Sequence, residues 1–262
     1  MVVMPLKPEF PEEWDKKTGS DLRAVSYWTY ATIYSGKDSL FNRLKEKKIP
    51  AEAIPQYFSV YGLRTYGSLN GNLVTEIIYV HSKLMIVDDR LAIIGSANIN
   101  DRSMLGDRDS EVAVIIQDND LMEGTMNGQP YQVGQFSHSL RCHLLREHLG
   151  LLSERNATPL NVEDPLTTIS TISKLAVENT LIYEQVFHGR ILPTNQGLAD
   201  FSLEKAEKEL EKIQGSIVVF PSLFLKDVLK PSFLDYVDMY VDTRGRTREL
   251  NFDDTTAGTF FA

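Results

Sequence analysis

A histidine and a lysine separated by one residue, His81-Ser82-Lys83, stand at the head of a segment that also carries Asp88 and the small-polar run Gly95-Ser96-Ala97-Asn98. The apolar runs around them, Glu76 to Val80, Leu84 to Val87 and Leu91 to Ile94, are rich in β-branched and aromatic residues, and Asp88-Asp89 is a turn-forming pair. The segment therefore reads as strand, turn, strand. Alternate side chains of a strand share a face, which puts His81 and Lys83 together and Ser82 opposite. An imidazole beside an ammonium is costly to bury unless an anion sits between them, and phosphate is the anion that fits. Lysine supplies charge and hydrogen bonds to phosphoryl oxygens, while a neutral imidazole attacks phosphorus or moves a proton to or from the ester oxygen. Ser96, Asn98 and the backbone N–H groups of their turn offer further donors to the same oxyanion.

The full spacing is His81-x-Lys83, four residues to Asp88, then six to Gly95-Ser96-x-Asn98. It resembles the HxK(x)4D(x)6GSxN signature of the phospholipase D superfamily at every defined position, and a pattern of this length is far more specific than a bare HxK. The longer run IYVHSKLMIVDDRLAIIGSANINDRSM is similar to the second such motif of the eukaryotic phospholipases D. None of His138, His143, His148 and His188 has lysine two positions later, so the chain holds one motif where those relatives hold two. Val2-Val3-Met4 at the very start reads as a strand, one that lies in mid-chain in the relatives, so the resemblance is to their second lobe.

Composition is that of an ordinary globular protein: 262 residues, 42% hydrophobic and 24% charged. No apolar stretch approaches the roughly 20 residues that span a bilayer, and MVVMPLKPEF lacks the basic and apolar segments of a signal peptide. A cytoplasmic chain, peripheral at membranes, is expected. The net charge of −9 argues against a general nucleic-acid binder and gives no support to a polybasic membrane anchor. Lys45 to Lys48 (KEKK) reads as the solvated end of a helix. The single cysteine, Cys142, excludes an internal disulfide and reads as a packed small residue without a role.

Helical spacing runs over Ser20 to Tyr34, with Ser20 or Asp21 as N-cap and Gly36 as the stop, and a second helix is expected over Asp38 to Lys48. Tyr27 and Trp28 at this spacing read as core. Tyr57 to Tyr61 is read as a strand, Gly67 to Asn72 as a loop and Ser110 to Gln117 as a buried strand. Phe136 to Leu149 is an amphipathic helix with Leu140, Leu144 and either Leu145 or His148 turned inward. His143 and His148, five apart, make a poor metal pair. Thr167 to Ile182 is helical. Ala206 to Gly215 followed by Ser216 to Pro221 is a helix, a glycine stop and a strand. The expected fold is α/β, a mixed β-sheet sandwiched by helices in a phospholipase D-like lobe over residues 1–152, with an α+β extension over 153–262 that packs on the lobe and ends in a tail of uncertain order. The segment TLIYEQVFHGRILPTNQ also resembles the C-terminal region of fungal-type phospholipases D, whereas the terminal NFDDTTAGTFFA departs from the short apolar and aromatic tail of the eukaryotic type.

The resemblance implies a carboxylate that accepts a hydrogen bond from the motif histidine, with Glu111 as the candidate and Asp109 as the alternate; a plain surface acid at a strand end remains the competing reading of Glu111. Asp88 lies in the turn, facing away from His81, where an Asx turn or a buried ion pair with Arg102 would explain it. The implied chemistry is two-step phosphoryl transfer through a phosphohistidine, with the first-lobe histidine as nucleophile and His81 as general acid and then base. Lys83, Ser96 and Asn98 would hold the phosphate, and no metal or other cofactor is required. The expected activity is hydrolysis or transphosphatidylation of phosphatidylcholine-type lipid at a membrane surface, complete only with a first lobe or with a second copy of the chain. The competing readings are a single-motif homodimeric phosphodiesterase of the nuclease kind and a catalytically incomplete, non-enzymatic fragment.

Overall fold

Two Asn-Gly pairs set the hairpins that frame this chain. Asn70-Gly71 and Asn127-Gly128 both take left-handed backbone (φ 51° and 76°, 54° and 71°), the geometry of a type I′ turn, which matches the twist of the strands it joins. The computed structural model describes residues 1–8, 20–152, 161–187 and 202–220. These fall into two compact units, one from Met1–Leu6, Gln56–Gly95 and the described part of 113–223, the other from the described parts of 7–55 and Ser96–Val112.

In the first unit, β2 (Val60–Leu69) is the organising strand. It pairs in parallel with β1 (Val2–Val3) and antiparallel with β3 (Asn72–Ile77) across the Asn70-Gly71 turn. On the opposite side β9 (Ile217–Val219) adds antiparallel to β2, making a four-stranded mixed sheet. The expected loop over Gly67 to Asn72 is thus hairpin, and the strand expected from Tyr57 begins only at Val60, because a helical turn, α3 (Ile54–Tyr57), precedes it. β4 (Lys83–Val87), β5 (Leu91–Gly95) and β6 (Ala113–Gln117) form a separate antiparallel sheet, and β7 (Leu121–Met126) with β8 (Gln129–Gly134) a two-stranded hairpin.

Helices α5 (Gln135–His148) and α6 (Pro165–Phe187) meet β2 and β9 in one core of Tyr61, Leu63, Leu145, Leu149, Ile172 and Ile217. Its polar seams are closed. Tyr61 shares a hydrogen bond with Ser173 (2.7 Å), and Asn179 of α6 donates to the carbonyls of Gln214 and Ile217 (2.8 and 2.9 Å). Asp164 accepts from the N–H groups of Asn127 (3.1 Å), Gly128 (2.6 Å), Leu166 (3.0 Å) and Thr167 (3.2 Å), tying the β7–β8 turn to the start of α6. Residues beyond 152 therefore contribute to the same core as β2 and α5. The short helix α7 (Leu203–Leu210) is capped by Ser202, whose hydroxyl accepts from Lys205 N–H at 3.3 Å.

The inner face of α5 includes Leu145, one of the expected leucines, but is otherwise shifted from the one that the leucine spacing predicts. Ser137, His138, Cys142 and Leu145 are its buried residues, while Leu140 and Leu144 are half-buried. A cluster of ionised partners waits on that side, so Ser137, His138 and Cys142 face inward together with Leu145. Gly134, the N-cap residue, has no side chain to cap α5. Asp118 does so instead, accepting from the N–H groups of Phe136 (3.3 Å) and Ser137 (2.9 Å) and from the Ser137 hydroxyl (2.8 Å).

The second unit contains α1 (Ser20–Tyr30), which widens into one π-helical turn over Ala31–Ser35 before Gly36, and α2 (Leu40–Glu46), capped by Ser39. Leu22 and Val25 are buried, and Tyr27 and Trp28 are half-buried in an edge-to-face contact at 5.2 Å. It also contains α4 (Asp101–Met104), capped by the Asn100 side chain on Ser103 N–H at 3.0 Å. No described helix is long and apolar enough to cross a membrane. The terminal NFDDTTAGTFFA, most of Lys7 to Gly19, the linker core 153–160 and the stretch 188–201 lie outside the described residues.

Candidate active site

The β4–β5 hairpin brings the two ends of the motif together. Its register sets Lys83 opposite Gly95, Leu84 opposite Ile94 and Val87 opposite Leu91. The turn residues Asp88 and Asp89 both have positive φ (51° and 52°), and Arg90 N–H closes the turn on Val87 O at 3.0 Å. Asp and Asn tolerate this conformation better than other non-glycine residues. The motif aspartate is therefore a turn residue. Asp88 is exposed, which fits the turn reading of this residue rather than a buried ion pair. Its neighbour Asp89 is the buried one, at 2% exposure.

His81 precedes β4 rather than lying in a strand, since β3 ends at Ile77 and β4 begins at Lys83. The imidazole is exposed and stacks on Tyr79 at 6.3 Å between ring centres. Lys83 donates from Nζ to the His81 carbonyl at 2.6 Å, so the ammonium is drawn to the histidine's own peptide. An ammonium has three donors, of which this bond uses one.

In the second unit, Ser96 and Glu111 are partners. The Ser96 hydroxyl donates to the Glu111 carboxylate and accepts from Val112 N–H at 3.0 Å, while Ser96 N–H donates to Val112 O at 3.0 Å. Regular strand starts at Ala113 and not at Ser110, and β6 is largely exposed where a buried strand was expected. Asn98 N–H donates to the Ser103 hydroxyl at 3.1 Å, so its turn is fastened to α4. The alternate acid, Asp109, is held by Arg102 through two bonds of 2.8 and 3.1 Å. That guanidinium keeps the Asp109 carboxyl below the usual carboxylate range.

Sequence reasoning missed a second polar cluster in the first unit. His138 Nδ1 lies 2.8 Å from Asp89, its Nε2 lies 2.8 Å from Glu163, and Arg141 grips Asp89 through Nε (2.6 Å) and Nη2 (2.7 Å). Burial opposes ionisation of Asp89, yet the hydrogen bonds from Arg141 and His138 outweigh it and hold the carboxyl below its ordinary value. The signal in the sequence was His138-x-x-x-Cys142 at helical i, i+4 spacing, which puts both on one face.

A family model described as Phospholipase D matches residues 52–198. Over 247 residues the chain is 41% identical to phospholipase D1 of Rattus norvegicus, an alignment covering 86% of this chain and 22% of that protein. It is 39% identical to phospholipase D zeta 1 of Arabidopsis thaliana, covering 89% and 24%, and 46% identical to a phospholipase D of Phytophthora infestans, covering 79% and 11%. The chain belongs to the phospholipase D family. It spans about a quarter or less of the length of these curated relatives.

Proposed function

We propose that this chain supplies one half of a phospholipase D active centre and cleaves phosphatidylcholine-type phosphodiesters when a first motif-bearing lobe completes it. The observation that carries the reading is the β4–β5 register, which sets Lys83 across from Gly95 and so joins HxK to GSxN through one hairpin. His81 is exposed beside it, open to a substrate.

In the first step a histidine of the other lobe attacks phosphorus, and the bond from phosphorus to the head-group oxygen breaks. His81 gives its proton to that leaving oxygen. In the second step His81 takes a proton from water or an alcohol, the new oxygen bonds to phosphorus, and the phosphorus–nitrogen bond breaks to release phosphatidate or its ester. Lys83, with Ser96 and Asn98 by their place in the motif, neutralises the oxyanion in both steps. Glu111 orients the Ser96 hydroxyl, and Asp88 shapes the turn without touching substrate.

The need for a partner is supported by the β4–β5–β6 sheet. The cross-strand rows Leu84–Ile94–Val114 and Met85–Ile93–Ile115 lie on opposite faces. Both faces leave large apolar side chains exposed, Val114 at 59% and Ile115 at 66% among them. Surfaces of this kind mark an interaction site.

The test mixes the purified chain with a separately expressed first lobe of a phospholipase D on phosphatidylcholine vesicles and follows choline release, with ethanol added to trap phosphatidylethanol. Choline release that His81→Ala abolishes supports the reading. Release by the chain alone, from a dimer, moves the partner role to a second copy. No hydrolysis in either sample overturns it, and cleavage of a DNA duplex in the same tubes would favour the nuclease reading.

A further inference from the structure

The cluster on α5 has the composition and geometry of a metal site. His138 and Cys142, one helical turn apart, are buried at 6% and 2% exposure, and Glu163 reaches them from the segment before α6. The donor atoms form a small triangle: His138 Nε2 to Glu163 Oε2 is 2.8 Å, Nε2 to Cys142 Sγ is 3.6 Å and Sγ to Oε2 is 3.8 Å. Tetrahedral zinc bonds to nitrogen, oxygen and thiolate imply ligand-to-ligand edges of about 3.3 to 3.6 Å. The two sulfur edges already lie close to that, and the nitrogen–oxygen edge needs to open by about half an ångström.

Two of the three ligands, His138 and Glu163, are oriented from behind. Asp89 accepts at His138 Nδ1 (2.8 Å), which fixes a proton there and aims Nε2 into the triangle, the carboxylate–histidine pairing common behind bound zinc. Arg141 holds Asp89 from the other side and donates to the carbonyls of Val162 (2.7 Å) and Glu163 (2.8 Å), so the ligand-bearing backbone is pinned as well. Arg146 holds the second oxygen of Glu163 at 2.6 Å. Asp89 and Glu163 both accept, so each ring nitrogen of His138 must present either a proton or, at Nε2, a cation.

The geometry points to a binding site for one zinc-class divalent ion at His138 Nε2, Cys142 Sγ and Glu163 Oε2, with solvent in the fourth position. The thiolate and imidazole select this class over magnesium or calcium, which favour all-oxygen shells. Glu163 has a side chain 48% exposed, which gives the ion a way in. Once the ion has displaced the thiol proton, two carboxylates and a thiolate face two guanidinium groups, so the ion is set against one net negative charge. Binding replaces the Cys142 thiol proton and any proton on His138 Nε2, and both go to solvent. No ligand belongs to the HxK motif. The ion would staple α5, the 161–164 segment and, through Asp89, the β4–β5 turn.

The experiment uses the full chain stripped of metal. Titration with Co2+ is expected to produce one equivalent of thiolate-to-cobalt absorption, displaced by one equivalent of Zn2+. Cys142→Ser removes the absorption, and Asp89→Asn weakens zinc binding by about 10- to 100-fold. Should these variants fail to fold, the unaltered protein still decides, because Cys142 is its single cysteine: Zn2+ should slow its alkylation at least tenfold. A chain that shows no thiolate band and alkylates equally fast with and without zinc holds an imidazolium–carboxylate ion pair only, and the site is overturned.

Discussion

Lys83 stands directly across the β4–β5 hairpin from Gly95, while its ammonium reaches back 2.6 Å to the carbonyl of His81. One short hairpin thus connects the cation of the motif, its histidine and the first residue of its Gly95-Ser96-x-Asn98 run. The strand register does what sequence spacing alone cannot, since the six residues after Asp88 are spent on a turn and a returning strand.

Removing the cation should damage chemistry and spare the fold. Lys83→Met is expected to lower kcat by about 100- to 1,000-fold, the usual cost of losing one oxyanion donor. Its side chain is only half-buried, so the melting temperature should stay within about 2 °C by the rule for surface positions. Choline release with the complementing lobe and a thermal melt by circular dichroism check both halves.

Asp118→Ala should cost about 1 kcal/mol, because it uncaps α5. Burial pushes the Asp118 carboxyl up, but the bonds from Ser137 and Phe136 push it down further, to a net value below the usual range. A depressed folded value means that the stabilisation is present above the unfolded carboxylate value near about 4. It is lost as pH falls through the lower, folded value. Urea melts between pH 7 and pH 2.5 should show a decline in acid that is smaller in Asp118→Asn, the remainder coming from other depressed carboxyls such as Asp89.

Gly134→Ala attacks the same contact from the other side. A β-carbon there would lie 2.3 Å from Asp118 Cβ and 2.4 Å from its Oδ2. The carboxylate must leave the helix end, at a cost of about 1–3 kcal/mol by the range for overpacking. Combined with Asp118→Ala the two costs should fall well short of their sum, which a double-mutant cycle measures.

At the Asn70-Gly71 turn no neighbour lies within 4 Å of a β-carbon added at Gly71, yet its φ is +76°. Gly71→Val should therefore destabilise by about 1–2 kcal/mol through backbone strain alone. Gly67→Ala, also in open space but without positive φ, should leave stability within about 0.5 kcal/mol. Denaturant midpoints of the pair separate strain from packing.

Much of the local structure is legible in the residues. The spacing of Leu22 and Val25 and Ser39 before α2 announce helices that the fold contains, whereas the helix expected to run to Gly215 already ends at Leu210. Both Asn-Gly pairs were equally legible as hairpin turns. Reading Gly67 to Asn72 as a loop by composition overlooks the first, and Leu121 to Gly134 carries the second between runs too mixed in polarity to stand out.

The amino-acid sequence by itself determined the family signature, the turn at Asp88-Asp89 and the periodicity of the long helices, because each depends on neighbours within a few residues. Tertiary structure alone decided that Asp89 rather than Asp88 is the buried acid, that α5 turns His138 and Cys142 inward in place of Leu140 and Leu144, and that β9 pairs with β2. Those outcomes depend on which distant surface supplies a charge or an open edge. Arg141 and Glu163 make a polar interior stable for α5, and the unpaired edge of β2 accepts Ile217–Val219 from the far end of the described chain. No local window holds that information, since a buried charge is tolerated only where its partner arrives from elsewhere in the fold.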